Sequence, residues 1–412
     1  MLNKLFDFIR NKKNYILFVF ARSAGLIVKP LTLFLLINFG LDFDAELYSK
    51  YLICLISIYS IFKAPLHFDY YKLFFSLSKK VESIQTGALY KIRTISLTIL
   101  LSPVLYLLIY AIFLDHSISI FVLIALITEK LFDEVQRFQQ YSKFFIEWSA
   151  LFLFKNFIPI VFCFFIARFR TENIFLYFLV ASIFSNIFFT YLFSSFKLKI
   201  TYKYFLKAFS FFSDVLKKLF HDHGLKFLVI ISFTFFMQID RLYITIFLGS
   251  DNLADISFMA QIANGIPILF GFAFIHSRKA FFTRKTDKIR NLINLSKAIV
   301  FFIFLLPFSI GFYYFILKLS SVELIFSSHF ILFYFLSFSV LSLDMIFNEY
   351  QFWNQKPSIL LFIDIFCMII FLFFMYLYDE NFLAIALFLS VTIRLLLHIT
   401  LEIKSKKIGA KT

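Results

Sequence analysis

The sequence predicts an all-α polytopic membrane protein with twelve transmembrane helices in two six-helix lobes. Three observations carry this. Hydrophobic residues make up 61% of the 412 positions and charged residues only 16%, with a mean hydropathy of +0.86. A soluble domain runs nearer to about 45–50% apolar and about 25% charged, so this chain has too little polar surface to coat soluble cores. Its apolar runs are continuous and roughly the 20 residues that a helix needs to cross a bilayer. A transmembrane β-barrel would alternate over shorter segments instead. Lys and Arg, finally, gather on one side of the loops between these runs. The composition excludes a soluble enzyme, a secreted disulfide scaffold and a disordered chain. The Phe excess, 67 residues, reads as apolar filler and carries no function. Cys54, Cys163 and Cys367 all sit inside apolar runs, far apart and without CxxC spacing. They read as buried thiols rather than a disulfide framework or zinc site.

The spans, in order, are Tyr15–Phe39, Leu47–Leu66, Thr94–Leu114, Ile118–Val135, Ala150–Ala167, Ile174–Phe193, Phe227–Leu248, Leu253–Ile275, Ala298–Leu317, Leu324–Leu343, Ile359–Tyr378 and Phe382–Leu401. The fourth and fifth are the weakest, because charges crowd their ends. Lys12 and Lys13 before the first run resemble the start of a signal peptide, but Arg22 interrupts it and the apolar stretch continues to Phe39. The reading is an uncleaved first span.

Of the 41 basic residues, 30 lie in the N-terminal segment, the loops after even-numbered spans and the C-terminal tail, or between spans four and five. The opposite side carries Arg168, Arg170 and Lys318, with Asp42, Asp44, Glu46, Asp115, Asp251, Asp379 and Glu380. The positive-inside rule places both termini in the cytoplasm. The net charge of +16 is then a topology signal, and no nucleic-acid partner is expected. Residues 1–200 form the N-terminal lobe, 201–224 a cytoplasmic linker and 225–412 the C-terminal lobe. Within the mid-chain loop, 202–220 has apolar residues at helical spacing with Lys between, which suits a helix on anionic membrane lipids or a solvated linker.

The two halves echo each other. Leu-Ile-Asn-Phe-Gly40-Leu-Asp42-Phe-Asp44-Ala-Glu46-Leu-Tyr48-Ser49 is matched by Ile-Phe-Leu-Gly249-Ser-Asp251-Asn-Leu-Ala-Asp255-Ile-Ser257. Each joins the first two spans of its half through a Gly that accepts positive φ in a tight external turn. Repeated halves of this kind are common in transporters.

On these residues the chain resembles a known family. The stretch from Arg22 to Tyr51, and Gln238-Ile-Asp240-Arg241 through Leu248-Gly249 to Ala260-Gln261-Ile-Ala-Asn264, look like the polysaccharide and O-antigen flippases of the Wzx type, within the multidrug/oligosaccharidyl-lipid/polysaccharide exporter superfamily. The resemblance implies two lobes around a central cavity. It also implies export of an undecaprenyl-diphosphate-linked oligosaccharide across a bacterial inner membrane. Lys29-Pro30 in mid-span is a departure. Polysaccharide polymerase and chain-length machinery would be the protein partners, and a proton or sodium ion the coupling ion.

Intramembrane polar residues carry the chemistry, since an unpaired charge at the bilayer centre costs about 2.5–3.5 kcal/mol on insertion scales. The deep charges are Arg22, Lys29, Lys155, Arg241 and Arg394 against Asp240 and Asp364. With Gln238, Gln261 and Asn264 the cations are the candidate substrate-cavity residues. Asp240 and Asp364 are candidates for ion coupling or for holding those cations. Arg22 and Lys29 lie seven residues apart on one stripe, and Pro30 removes a backbone bond to the Leu26 carbonyl. Thr234, Gln238, Arg241 and Thr245 form a polar stripe on span seven; Ser257, Gln261 and Asn264 form one on span eight. Asp240 and Arg241, being adjacent, need not pair. Arg394 and His398 share a face, with His398 read as interfacial. Glu129, Lys130, Asp133, Glu134 and Arg137 read as a cytoplasmic charge cluster, and Lys63 as a flank. No Walker A loop, dinucleotide fingerprint, HExxH or Cys/His cluster is present, so no cofactor, metal or catalytic residue is expected. The cationic excess suits an anionic cargo. A drug/cation antiporter of the same superfamily should have an acidic cavity instead. A membrane O-antigen polymerase or ligase needs a longer external segment, and a non-transporting assembly subunit is the remaining alternative.

Overall fold

The computed structural model describes residues 27–57, 101–141, 145–169, 173–197, 224–249, 252–266, 303–318, 326–354, 357–378 and 382–409. Arg22, Lys63, the segment 202–220 and Leu26, on which the kink at Pro30 depends, lie outside them. Every regular element among the described residues is helical. In chain order these are α1 Ile27–Asn38, α2 42–57, α3 Leu101–Phe113, α4 His116–Tyr141, α5 Phe145–Ala167 and α6 Ile174–Lys197. There follow α7 Gly224–Phe236, α8 Ile239–Tyr243 with a π turn Ile244–Leu248, α9 Leu253–Ala263 and α10 Ile303–Lys318. The last three are α11 Ser328–Asn354, α12 Pro357–Leu377 and α13 Leu383–Gly409.

Stretches of α6, α11, α12 and α13 are long and apolar enough to cross a membrane, and α7 with α8 makes a fifth if the bent pair is one span. The protein is therefore an all-helical, multi-pass membrane protein. Large apolar side chains stay exposed along its helices, among them Phe154, Val161 and Phe165 on α5 and Phe304, Phe308 and Phe315 on α10. Against lipid this costs nothing, and helix association must come from packing and polar contacts instead.

The chain divides into two compact units. One comprises Met1–Ile231 and Thr245–Ala254, the other Ser232–Ile244 and Asp255–Thr412. In the first, α6 packs on α4 and α5; in the second, α13 packs on α11 and α12.

Local sequence explains the turns. Gly40 has φ +66° and Gly249 φ +80°, so both glycines of the repeat adopt the left-handed conformation expected of them. The Gly40 N–H donates to the Ile37 carbonyl and the Leu41 N–H to the Leu36 carbonyl, both at 3.0 Å. This is the Schellman closure of a helix C-terminus. An added Cβ at either glycine would meet nothing within 4 Å, so conformation rather than space demands Gly.

Two of the acidic residues that the sequence reading places on the external side are helix caps. Asp115 Oδ1 accepts the Ile118 N–H at 2.8 Å and starts α4. Asp44 Oδ1, on α2, accepts the Phe175 N–H at 2.8 Å and caps α6 from another helix. A carboxylate there satisfies an orphan donor and the positive end of the helix dipole. Asp44→Ala should cost about 1 kcal/mol and Asp44→Asn much less. Thermal unfolding of the purified protein checks this, and equal losses for both variants would remove the capping role.

Pro159 stands inside α5 and cannot donate to the carbonyl four residues back, that of Lys155. Ser185 Oγ of α6 donates to that carbonyl at 3.2 Å. The break in one helix is thereby satisfied by its neighbour, as a membrane interior requires.

Candidate functional site

Among the described residues, three groups of buried charges stand out, one in the first unit and two in the second. In the first, Lys155 of α5 is paired with Glu129 of α4. The Asn186 Nδ2 of α6 donates to the other Glu129 oxygen at 3.1 Å, and the ammonium sits 5.3 Å from the Phe132 ring centroid. Lys29 on α1 is half-buried and lies within electrostatic range of Glu129 and Lys155. Glu129 is thus no cytoplasmic flank. It is the countercharge that α4 supplies to the buried Lys155 of α5. Lys130 is likewise buried.

The second group surrounds a break. α7 and α8 meet at an angle of 71°, with Met237 and Gln238 in the turn between them. The polar stripe expected from Thr234 to Thr245 therefore does not exist as a helical stripe. Gln238 has φ −121° and ψ 9°, in the sparsely populated bridge region. Arg241 Nη2 donates back to the Met237 carbonyl at 3.0 Å. Its Nε faces Asp240 Oδ1 at 3.4 Å, so the adjacent residues do pair, loosely. The Tyr334 hydroxyl of α11 donates to Asp240 Oδ2. Gln238, Asp240 and Arg241 are each 1% exposed. The Gln238 Oε1 is buried without a hydrogen-bond partner, as are Ser257 Oγ and Gln261 Nε2 on α9. Asn264 follows α9 and is buried.

The third group is the most deeply buried. Arg394 of α13 bonds Asp364 of α12 through Nε at 2.9 Å and Nη2 at 2.8 Å, and pairs through Nη1 with Asp344 of α11. His398 Nδ1, one turn along α13, lies 2.8 Å from the second Asp344 oxygen. Ser232 Oγ of α7 donates to the second Asp364 oxygen at 2.7 Å. The guanidinium stacks near Phe233 and Phe236, at 4.7 and 5.4 Å. Asp344, Asp364, Arg394 and His398 are each 0% exposed. His398 is an interior group rather than an interfacial one, and it does share a working face with Arg394.

Sequence reasoning missed Glu129 and Asp344. Asp344 falls one residue beyond the tenth predicted span, and Glu129 looked like an end charge. The available signal was the imbalance itself, since five deep cations against two carboxylates called for further anions. Glu129 and Asp344 join Asp240 and Asp364 as carboxylates paired with these cations among the described residues. Lys155, Arg241 and Arg394 all have carboxylate partners within the protein. Lys29 belongs to the first unit, and Arg241 and Arg394 to the second.

Among the described residues, the fold and these groups together define a membrane-embedded helical protein with buried ion pairs and one broken span. No family model and no curated protein matches the chain. Among solved structures it is similar to one described as the MATE transporter ClbM in complex with Rb+, at 12% identity and a TM-score of 0.39, over 95% of this chain and 93% of that one. An overlap so slight carries neither mechanism nor cargo across.

Proposed function

We propose that the chain is a membrane flippase that moves an undecaprenyl-diphosphate-linked oligosaccharide across the bacterial inner membrane. It would do so through twelve spans in two six-helix lobes, with both termini cytoplasmic. The observation that carries the transport reading is the 71° break between α7 and α8, with Gln238, Asp240 and Arg241 buried at it. Non-helical backbone at membrane depth is tolerated where protein or a wet cavity satisfies it, and in transporters such breaks border the cargo path.

The cargo rests on the resemblance of Gln238–Arg241 and Arg22–Tyr51 to the flippases, and on Lys29. Lys155 shares Glu129 with Asn186, whereas Lys29 is half-buried on the first span. Lys29 is thus the described cation best placed to meet a diphosphate. Glycan polymerase and chain-length proteins would act downstream. The drug/cation antiporter is the second reading. Asp344 and Asp364 sharing one Arg394 favours it, because the cationic excess read from sequence is largely cancelled.

A deletion strain separates the two. Flippase loss should leave lipid-linked repeat units on the cytoplasmic leaflet and abolish surface polymer, with drug tolerance unchanged. Lost drug tolerance with normal polymer would replace this reading by the antiporter. Complementation with Lys29→Ala should lower export, and Lys29→Glu should lower it further at matched membrane abundance. Equal export by both would remove Lys29 from the cargo path.

A further inference from the structure

The third charge group has an unbalanced count. Asp344 and Asp364 face a single guanidinium, that of Arg394, and the fourth member, His398, is neutral in its ordinary state near pH 7. Among the described residues, two carboxylates and one guanidinium leave one negative charge at 0% exposure, in a setting where uncompensated charge is expensive. One added cation makes the group neutral.

The geometry decides which cation. The two Asp364 oxygens are taken by Arg394 and by Ser232 Oγ. The two Asp344 oxygens are taken by Arg394 and by His398 Nδ1. Each of the four carboxylate oxygens thus lies against a nitrogen or hydroxyl of the protein, and the guanidinium, which reaches both aspartates, occupies the space between them where a metal ion would need to sit. Among the described residues no group of His, Cys, Asp and Glu is arranged to hold a metal. A proton needs no such space. It requires only one acceptor site in the Asp344–His398 pair, whose atoms are 2.8 Å apart.

We propose that the Asp344–Arg394–Asp364–His398 cluster is a proton-binding site, loaded by one proton held in the Asp344–His398 pair and closed to sodium and potassium by Arg394. The proton comes from water and returns to water, and only an N–H or O–H bond forms or breaks. Because the two residues titrate together, the proton belongs to the pair rather than to either one. Among the described residues, the groups facing the cluster include Arg394 on its own helix, Asp364 and, near that carboxylate, Cys367 on α12, and Ser232, Phe233 and Phe236 on α7. Loaded and unloaded forms differ by one charge among packed helices α7, α11, α12 and α13. They therefore favour different surroundings, which is the physical requirement for coupling a proton gradient to helix movement.

The test uses the full chain in lipid nanodiscs and no cargo, so its failure leaves the flippase reading standing and the reverse also holds. Proton uptake between pH 8 and 5 is counted by potentiometric titration for the wild type, Asp344→Asn and His398→Gln. The wild type should take up one proton per chain more than Asp344→Asn, although that variant keeps His398. Uptake should be the same in choline, sodium or potassium chloride at one ionic strength. Equal uptake by wild type and Asp344→Asn would overturn the site, and so would a wild-type uptake that falls when choline is replaced by sodium or potassium. Should Asp344→Asn fail to fold, 15N-histidine spectra of the wild type decide, with the His398 signal identified by its loss in His398→Gln. A shift with pH supports the site, and an invariant signal from pH 8 to 5 overturns it.

Discussion

Arg394→Ala is expected to destabilise the protein by about 3–5 kcal/mol, the usual cost of removing one partner from a buried ion pair. The cost comes from what the substitution leaves behind. Asp344 and Asp364 are both 0% exposed, and their shared guanidinium supplies three of the contacts that hold them. Without it two carboxylates remain in an apolar interior. The planar group also packs against Phe233 and Phe236, and that contact is lost too. A concerted change to Arg394→Met with Asp344→Asn and Asp364→Asn should recover most of the loss, because it removes the charges rather than stranding them. Thermal unfolding in detergent and membrane abundance both report the effect. A change for Arg394→Ala within about 1 kcal/mol of wild type, the range of an exposed pair, would mean that the cluster is solvated.

The second large effect is expected at Glu129. Glu129→Ala strands Lys155, whose side chain is 7% exposed, and it also removes the acceptor for Asn186. The expected loss is again about 3–5 kcal/mol, and Lys155→Met should be damaging for the mirror reason. Combining Glu129→Ala with Lys155→Met should be milder than the sum of the singles, with a coupling of about 0.5–3 kcal/mol for residues in contact. This cycle also separates a structural from a cargo role for Lys155. A structural lysine loses folded abundance when changed, and the double variant regains it. A lysine that served only to meet cargo would keep its abundance and lose export in both the single and the double variant. The second pattern would return Lys155 to the substrate cavity.

The candidate site was legible in the sequence in one respect and hidden in another. Arg241, Arg394, Asp240 and Asp364 stand out because each interrupts an apolar run, and cost in lipid depends on depth along the chain. Their partners do not stand out in the same way. Asp344 and Glu129 sit near expected helix ends, where a charge is ordinary. His398 looked interfacial for the same reason, yet α13 continues to Gly409 and carries it inside. The polar stripe assigned to Thr234, Gln238, Arg241 and Thr245 assumed one straight helix. Nothing local such as an internal Pro announces the 71° break at Met237–Gln238.

What the sequence by itself determined was set by local physics. Run length against bilayer thickness gives membrane-crossing helices, and backbone sterics give the left-handed turns at Gly40 and Gly249. What only the tertiary structure decided was which polar groups meet. Asp44 caps a helix that begins about 130 residues later, Glu129 finds Lys155 on the next helix, and Asp344, Asp364 and Arg394 converge from three helices. Such meetings depend on how each helix is rotated and set in register against its neighbours. A helix that is apolar nearly all round has no pattern to reveal that rotation, because lipid accepts the outer face as readily as the packed interior accepts the inner one.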